Sequence, residues 1–281
     1  MKWRLTGLVL GCAFVANASA QTPLAQSYDA TRRALKTDAV AAPSPQDFDK
    51  KTPKGIETIR YTSKTGELLA WVIQPSTKTI GPRPVVVYQH GGFALGKGDD
   101  TDAKPFADAG YIVMLPALRG ENGNPGNFEL FLGEVDDVIA AGRKAKTLPG
   151  ADPNRVYLFG HSIGGGLATL VSLSRENPFK LIGTTGGNYP LQDCAGIAKD
   201  WGTFDPTKRG ECAARFPDPY LASLDVPLLA FVGDQDKYAL AVGNYFRTLA
   251  NANYQLRILT GVDHFSAVKP SIKAFIAEAS K

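Results

Sequence analysis

The sequence Gly160 to Gly164 (Gly-His-Ser-Ile-Gly) contains a serine that could act as a nucleophile. The preceding run, Val156 to Phe159, has the length and the β-branched and aromatic composition of a buried strand, and Leu167 to Leu173 is apolar at helical spacing. A G-x-S-x-G sequence between a strand and a helix is typical of a sharp turn in which small neighbours leave room for a strained serine. We therefore expect Ser162 at a helix N-terminus, where backbone N–H groups stabilise developing negative charge. The alternative is a glycine-rich turn with an incidental serine.

A nucleophilic serine needs a general base, and the order of the histidines along the chain favours one of them. The chain contains three, His90, His161 and His264. In the α/β-hydrolase arrangement, which this strand-turn-helix setting resembles, the acid and the histidine follow the serine, and only His264 lies after Ser162. His161 should point away from the serine into the packing of the turn, and His90 belongs to a different loop. We predict His264 as the base; the alternative is an exposed loop histidine.

Two carboxylates follow the apolar run Phe231 to Gly233, and either could accept the proton on Nδ1 of His264. We predict Asp236, three residues after the glycine, because Asp234 is better placed to cap the turn. Asp263 is adjacent to the histidine in the chain and cannot easily face its ring.

A loop that could stabilise an oxyanion follows the first buried parallel strand, in the sequence His-Gly-Gly-Phe from His90 to Phe93. The backbone N–H of either Gly92 or Phe93 could bind the oxyanion. The second N–H would come from Ile163, directly after the nucleophile.

The same loop matches a phosphate-binding pattern, G-x-x-x-x-G-K, from Gly91 to Lys97. However, Gly98 stands where such a loop has the Ser or Thr that holds Mg²⁺. The chain has no G-x-G-x-x-G sequence after a strand and no H-x-x-x-H or C-x-x-C spacing. We therefore predict neither a cofactor nor a metal.

Residues 1–20 have the pattern of a secretory signal peptide: two basic residues, an apolar run from Leu5 to Ala16, and Ala18 to Ala20 before the expected cleavage point. The apolar run is too short to span a membrane. Cleavage before Cys12 would instead give a lipoprotein, but Leu10 stands where a small residue is expected. We expect an exported protein, periplasmic or secreted, without stable membrane insertion.

Charge and length restrict the class of protein further. The whole chain has 31 basic and 27 acidic residues, and removal of residues 1–20 leaves 29 and 27, a net charge of +2. This balance does not indicate a nucleic-acid partner. The remaining length suits one large domain rather than two.

The predicted elements after a hairpin at Glu57 to Gln74 alternate between strand and helix as far as Ala279. This alternation indicates an α/β fold, with a mostly parallel sheet and helices on both faces, in which the hairpin forms the antiparallel edge. We assign residues 21–54 to an N-terminal extension with a linker at Ala41 to Pro45, residues 55–281 to the α/β domain, and residues 188–222 to a cap insertion.

The cap insertion lies between two predicted strands and contains both cysteines that follow the signal peptide, Cys194 and Cys212. Two cysteines in an exported chain predict a disulfide, although two free buried thiols are the alternative. The cap is also rich in aromatic residues, which could line a pocket or form a small core of their own: Tyr189, Trp201, Phe204, Phe216 and Tyr220.

Over most of its length after the hairpin begins, the chain resembles α/β-hydrolases, in particular dienelactone-hydrolase-like proteins and the catalytic domains of prolyl-oligopeptidase-like serine peptidases. The similarity lies in Asp152 to Gly165, Leu118 to Gly123, Glu134 to Asp137, Gly233 to Asp236, and His264 with Phe265. The resemblance implies an α/β-hydrolase fold and a Ser-His-Asp triad that acts through an acyl-enzyme.

The same resemblance leaves the substrate open. Prolyl oligopeptidases carry a propeller domain that admits short peptides, which the residues before Glu57 are too few to form, and dienelactone hydrolases use a cysteine where this chain has Ser162. We predict a small carboxylic ester as the substrate, because an open site suits it. The alternatives are a peptidase that acts on short peptides and a non-catalytic binding member of the fold; the oligomeric state stays open.

Overall fold

In the computed structural model of this chain, the described residues are 27–37, 39–46, 48, 51–77, 80–202 and 204–281. The predicted signal peptide, residues 1–20, and the alternative lipid-anchor residue Cys12 lie outside them.

An eight-stranded sheet forms the centre of the molecule, in the order β1-β2-β4-β3-β5-β6-β7-β8. The strands are β1 (Glu57–Ser63), β2 (Gly66–Ile73), β3 (Arg83–Gln89), β4 (Ile112–Pro116), β5 (Ala151–His161), β6 (Ile182–Thr185), β7 (Leu228–Gly233) and β8 (Tyr254–Leu259). The predicted hairpin pairs β1 with β2, and β2 pairs antiparallel with β4. All the other neighbouring strands are parallel. The prediction of a mostly parallel sheet with an antiparallel edge is confirmed.

Helices cover both faces of this sheet. They are α1 (Tyr28–Ala34), α2 (Asp99–Asp108), α3 (Glu134–Ala145), α4 (Ile163–Ser172), α5 (Cys194–Trp201), α6 (Lys237–Leu249) and α7 (Val268–Ala279). One buried cluster joins α2 and α7 to the sheet, with Phe106, Phe159 and Phe275 in contact. A second, larger cluster lies under α3, α4 and α6. None of the helices in the described part of the chain is both long and apolar enough to cross a bilayer.

The burial of the strands explains why their sequences differ. Central strands β4 and β7 are buried at every position, which is why their sequences are nearly continuous apolar runs. Edge strand β1 is buried only at Tyr61, and its other side chains are polar or partly exposed. Because the carboxyl ends of the parallel strands meet at one edge, the segments that follow β3, β5, β6, β7 and β8 are brought together there.

The cap insertion between β6 and β7 contains α5 and two short 3-10 helices, Leu191–Asp193 and Asp218–Ser223. Cys194 and Cys212 are joined by a disulfide bond, as the sequence predicts. Both residues contact the larger apolar cluster, so the bond lies at the base of the cap.

The described part of the N-terminal extension lies against the α/β domain. Tyr28 of α1 is 1% exposed and belongs to the larger core cluster. Within the predicted linker, the Ala42 carbonyl accepts from the Phe128 N–H at 2.8 Å, and the Ser44 N–H donates to the Gly120 carbonyl at 3.0 Å. These residues are therefore held on the surface of the domain rather than lying free. The division at residues 54 and 55 stays a prediction.

Candidate active site

Ser162 lies at the turn between β5 and α4, with φ 53° and ψ −120°. A non-glycine residue with positive φ is strained, and the glycines on either side of Ser162 leave the space for this turn. A Cβ on Gly160 would collide with the Gly164 carbonyl, and one on Gly164 would collide with the Gln89 carbonyl at the end of β3. The sequence therefore folds into the sharp turn that its pattern predicts, with the serine hydroxyl at the N-terminus of α4.

The structure brings Ser162, His264 and Asp236 together in one hydrogen-bonded chain. His264 Nε2 lies 3.1 Å from Ser162 Oγ, and His264 Nδ1 lies 2.7 Å from Asp236 Oδ2. The other carboxylate oxygen of Asp236 accepts from the Ala239 N–H at the start of α6. Burial raises the pKa of Asp236, but hydrogen bonds from His264 and from the Ala239 N–H outweigh it and hold that pKa below its usual range. Asp236 is therefore ionised at neutral pH and can orient the imidazole.

The neighbouring carboxylates have other partners. Asp234 Oδ1 accepts from the Gly261 N–H at 2.9 Å, which fastens its turn to the loop after β8. Asp263 accepts from the Ser266 N–H at 2.8 Å. Of the three aspartates considered from the sequence, only Asp236 is placed against the His264 ring.

His161 packs against His264 from the side of the turn that carries Ser162. Its ring centroid lies 5.1 Å from that of His264, and its Nε2–H donates to the His264 carbonyl at 3.3 Å. Burial, together with the nearby His264, lowers the pKa of His161 to about 4, so His161 is neutral at ordinary pH. Its position agrees with the expectation that it points into packing rather than towards the reaction site.

The loop from His90 to Phe93 lies next to Ser162. A Cβ on Gly91 would be 3.4 Å from the Cβ of Ser162. The Phe93 N–H donates at 2.9 Å to the side-chain carbonyl oxygen of Gln46, in the N-terminal extension. Of the two candidate oxyanion donors on this loop, Phe93 is thus bonded to a carbonyl oxygen of the protein itself. Ile163 is the first residue of α4, and N–H groups in a first helical turn have no acceptor within the helix.

A buried ion pair supports this loop from below. His90 Nε2 lies 3.2 Å from Glu121 Oε2, and both side chains are almost fully buried. Burial lowers the pKa of His90, but attraction to Glu121 and their hydrogen bond outweigh it and raise that pKa to about 9. Glu121 also accepts from the Leu118 N–H at 2.7 Å, and Asn122 bonds both the N–H and the carbonyl of Leu95. The loop after β4 therefore holds the loop after β3 in place through these polar contacts.

The cap reaches the same loop through aromatic contacts. The Trp201 ring centroid lies 5.3 Å from that of Phe93, which also packs against Phe128 at 5.2 Å. Trp201 is 42% exposed, and Phe265, next to the predicted base, is 68% exposed. Apolar groups are thus available to a substrate near both the loop and the histidine.

Sequence reasoning missed the roles of Gln46 and Tyr189. The Tyr189 hydroxyl lies 3.4 Å from Ser162 Oγ, although the sequence placed this residue only among the cap aromatics. Neither residue has a motif or a spacing that relates it to the serine. Within the described residues, no group of three His, Cys, Asp or Glu side chains could hold a metal ion.

Comparison with known proteins gives matches along most of the chain. A sequence profile of the prolyl oligopeptidase family matches residues 98–278. The uncharacterized peptidase YtmA of Bacillus subtilis is 36% identical over 69 residues, which cover 24% of this chain and 26% of that protein.

Solved structures share the fold at low sequence identity. Pyrococcus horikoshii acylaminoacyl peptidase is 20% identical and gives a TM-score of 0.62 over 82% of this chain and 41% of that one. A Mycobacterium tuberculosis puromycin-hydrolyzing peptidase is 20% identical, with a TM-score of 0.65 over 80% of this chain and 38% of that one. The 2,6-dihydroxy-pseudo-oxynicotine hydrolase is 16% identical, with a TM-score of 0.62 over 80% and 66%. The fold is thus that of the α/β-hydrolases, and the chain spans less than half the length of either peptidase structure.

Proposed function

Because the chain belongs to the prolyl oligopeptidase family, we propose that it is a serine hydrolase that cleaves amide bonds in short peptides. The observation that carries this proposal is the hydrogen-bonded chain from Ser162 through His264 to Asp236, at 3.1 Å and 2.7 Å. A serine, an imidazole and an ionised carboxylate in this order form the arrangement that activates a hydroxyl for attack on a carbonyl.

In the proposed reaction, Ser162 Oγ attacks the carbonyl carbon of the substrate while its proton passes to His264 Nε2. Asp236 accepts the Nδ1 proton in a hydrogen bond, holds the ring in the productive tautomer and stabilises the imidazolium. His264 then gives its proton to the leaving amine, and an acyl-enzyme remains on Ser162. A water molecule, activated by the same histidine, releases the acid and restores the serine.

The oxyanion formed in each step would be bound by the Ile163 N–H at the start of α4 and by an N–H of Gly92 or Phe93. The position of the Gly91 backbone next to Ser162 supports this assignment. Removal of one such donor costs about 10²–10³ in kcat in comparable sites. Phe93 can serve only when the side-chain carbonyl of Gln46 leaves its N–H.

We favour peptides over the small esters that the sequence predicts. The family profile, the YtmA relative and two of the three solved structures above are peptidases by description. The exposed side chains of Trp201 and Phe265 offer contacts to apolar residues of a peptide. Ester cleavage proceeds through the same acyl-enzyme, so it is included in the test.

The test is a substrate panel of aminoacyl and N-acyl-dipeptidyl p-nitroanilides and p-nitrophenyl esters, assayed with the wild type and with Ser162→Ala. We expect both substrate classes to be cleaved by the wild type, with the nitroanilides establishing peptidase activity. Cleavage of the esters alone would contradict peptidase activity and would support the small carboxylic ester that the sequence predicts as the substrate. No turnover on either class, with intact folding, would favour a non-catalytic binding protein.

Export is a separate proposal, based only on the pattern of residues 1–20. N-terminal sequencing of the protein from an expressing bacterial culture, fractionated into cytoplasm, periplasm and medium, tests it. A chain that begins at Gln21 in the periplasm or the medium is expected. A lipid-modified Cys12 at the N-terminus would instead favour the lipoprotein alternative, and an unprocessed cytoplasmic chain would contradict export.

A further inference from the structure

The hydroxyl of Ser162 has a second side-chain neighbour besides the histidine. His264 Nε2 lies 3.1 Å from Ser162 Oγ, and the Tyr189 hydroxyl lies 3.4 Å from the same atom. No other hydrogen bond of the Tyr189 hydroxyl is found among the described residues. The nucleophile and this tyrosine therefore form a direct polar contact within the site.

A pair of glycines brings the chain after β6 past the nucleophile turn. Gly186 has φ 65°, and a Cβ there would be 2.8 Å from the Cε1 atom of the His264 ring. A Cβ on Gly187 would collide with the backbone of Gly165. Larger residues at these two positions would push the chain away from both Ser162 and His264.

The Tyr189 ring is then held by packing on α4 and by an anchor on α6. A Cβ on Gly166 would be 2.8 Å from Cδ2 of the Tyr189 ring, so that glycine leaves the space the ring occupies. The ring centroid lies 5.5 Å from that of Phe131. The preceding residue, Asn188, is buried and donates to the Ala239 carbonyl at 3.2 Å. The hydroxyl is thus positioned by three different parts of the fold.

The direction of the hydrogen bonds follows from the proton count. The ionised carboxylate of Asp236 can only accept, so Nδ1 of His264 is the donor in this bond, and in the neutral imidazole Nε2 is then an acceptor. The single hydroxyl proton of Ser162 therefore points to Nε2, and Ser162 Oγ can only accept from Tyr189. Each group therefore donates to the next one in a single direction: Tyr189 to Ser162, Ser162 to His264, and His264 to Asp236.

We propose that Tyr189 is a further catalytic residue, whose O–H donates to Ser162 Oγ and stabilises the negative charge that develops on that oxygen during attack. The proposal rests on the proposed function of the site. In this step the Oγ–carbon bond forms, the Ser162 proton moves to His264 Nε2, and the carbonyl π electrons move to the substrate oxygen. Tyr189 keeps its own proton throughout, so no further acid or base is needed.

The chemical state of Tyr189 suits a donor rather than a base. Burial raises the pKa of its hydroxyl to about 12, and the hydrogen bond to Ser162 only partly offsets this rise. The hydroxyl is therefore protonated at any pH at which the protein would work. A phenylalanine would fill the same ring space, so the polar atom can be removed without disturbing the packing.

The experiment compares Tyr189→Phe with Tyr254→Phe, each purified as the full mature chain. Tyr254 is a matched control, because its buried hydroxyl also makes one 3.4 Å hydrogen bond, to the Gly243 carbonyl, away from the serine. We expect Tyr189→Phe to lower kcat about 10- to 100-fold, the effect of a lost hydrogen bond to a developing charge, with KM changed by less than about threefold. Tyr254→Phe should keep the wild-type kcat.

A second readout excludes a merely structural role. The rate constant for inactivation by a fluorophosphonate, which also requires attack by Ser162, should fall in Tyr189→Phe by a factor similar to that in kcat. The fall of kcat/KM at acidic pH should occur over the same pH range in Tyr189→Phe as in the wild type, since the general base His264 is unchanged. A kcat of Tyr189→Phe within about twofold of the wild type, or an equal loss in Tyr254→Phe, would overturn the proposal. Wild-type and Ser162→Ala proteins that are equally inactive would instead remove the proposed function.

Discussion

The two halves of the candidate site are held in different ways. Ser162, Asp236 and His264 each follow the end of a strand and precede a helix, so the sheet fixes their positions. The loop from His90 to Phe93 is instead held by side chains from other loops, among them Glu121 and Gln46. The difference shows that the positions of Ser162, Asp236 and His264 depend on local sequence and topology, whereas the position of the loop from His90 to Phe93 depends on a few long-range polar contacts. Substitutions of Ser162, Asp236 or His264 should lower kcat. Substitutions that affect the loop from His90 to Phe93 should change the stability of the protein or the access of substrate to the loop.

The largest effect is expected for Asp236, the carboxylate that contacts the His264 ring. Asp236→Asn should lower kcat about 10⁴-fold, because an amide no longer holds the imidazole in the productive tautomer. Asparagine is also a good helix N-cap, so the bond to the Ala239 N–H and the folding of α6 should persist. Asp234→Asn is the matched control and should change kcat less than about tenfold, since the Asp234 carboxylate accepts from the Gly261 N–H and does not contact the His264 ring. Steady-state kinetics that gave the reverse ranking would contradict the assignment of Asp236.

Breaking the ion pair between His90 and Glu121, which supports the loop from His90 to Phe93, should lower the stability of the protein. Glu121→Gln leaves the buried His90 without its counter-charge, which costs about 3 to 5 kcal/mol in buried pairs. The pKa of His90 is raised to about 9 in the folded protein from an unfolded value near 6.5. The free energy of unfolding that the charged His90 contributes is therefore complete below pH about 6.5 and is lost as pH rises towards 9. Urea unfolding of the wild type at several pH values should show this decrease.

In Glu121→Gln the decrease in stability between pH 6.5 and 9 should be absent. Glu176→Gln is the control, because Glu176 lies in a surface pair with Arg143 whose side chains are each 58% exposed, and it should retain the wild-type pH dependence. A wild type whose free energy of unfolding rises over that range would show that His90 is not a charged partner of Glu121.

Reduction of the disulfide in the cap should separate the stability of the cap from that of the sheet. Reduction of the bond between Cys194 and Cys212, which are 18 residues apart, should cost about 3 kcal/mol through the entropy of the opened loop. Because the cross-link constrains only the cap, we expect local loosening near Trp201 before the sheet unfolds. Hydrogen exchange of reduced and oxidised protein would show it as faster exchange in residues 188–222. Two titratable thiols in unfolded, unreduced protein would contradict the bond.

The smallest effect concerns access to the Phe93 N–H. The Gln46 carbonyl occupies this donor at 2.9 Å, so Gln46→Ala should free it for a substrate oxygen. A hydrogen bond of about 1 kcal/mol corresponds to about a fivefold rise in kcat/KM. Gln74→Ala, at an exposed glutamine after β2, is the control and should leave kcat/KM unchanged. An unchanged or lower kcat/KM in Gln46→Ala would assign the oxyanion donor to Gly92 and make Gln46 a structural support of the loop.

The same contrast explains what the sequence could predict. The strands, the disulfide and the setting of Ser162 depend on patterns that are local in the chain, and Asp236 could be preferred over Asp234 from its distance to Gly233. Boundaries were less accurate where packing outweighs propensity. Helix α4 begins at Ile163, ahead of the apolar run from Leu167, although its first turn is rich in glycine.

The contacts of Gln46, Glu121 and Tyr189 could not be predicted, because each joins segments that are distant in sequence. Gln46 is 47 positions from Phe93, Glu121 is 31 from His90, and Tyr189 is 27 from Ser162. No composition or period relates the members of these pairs. They meet only because the parallel strands bring several loops to one edge of the sheet.

The most direct test of the site is the reaction of Ser162 with a fluorophosphonate, followed by peptide mapping with mass spectrometry. We expect the wild type to be labelled at Ser162 alone, with hydrolysis lost in proportion to the label. Ser162→Ala should be folded, unlabelled and at least about 10³-fold lower in kcat. Labelling at another residue, or turnover by Ser162→Ala at the wild-type rate, would contradict the assignment of Ser162 as the nucleophile.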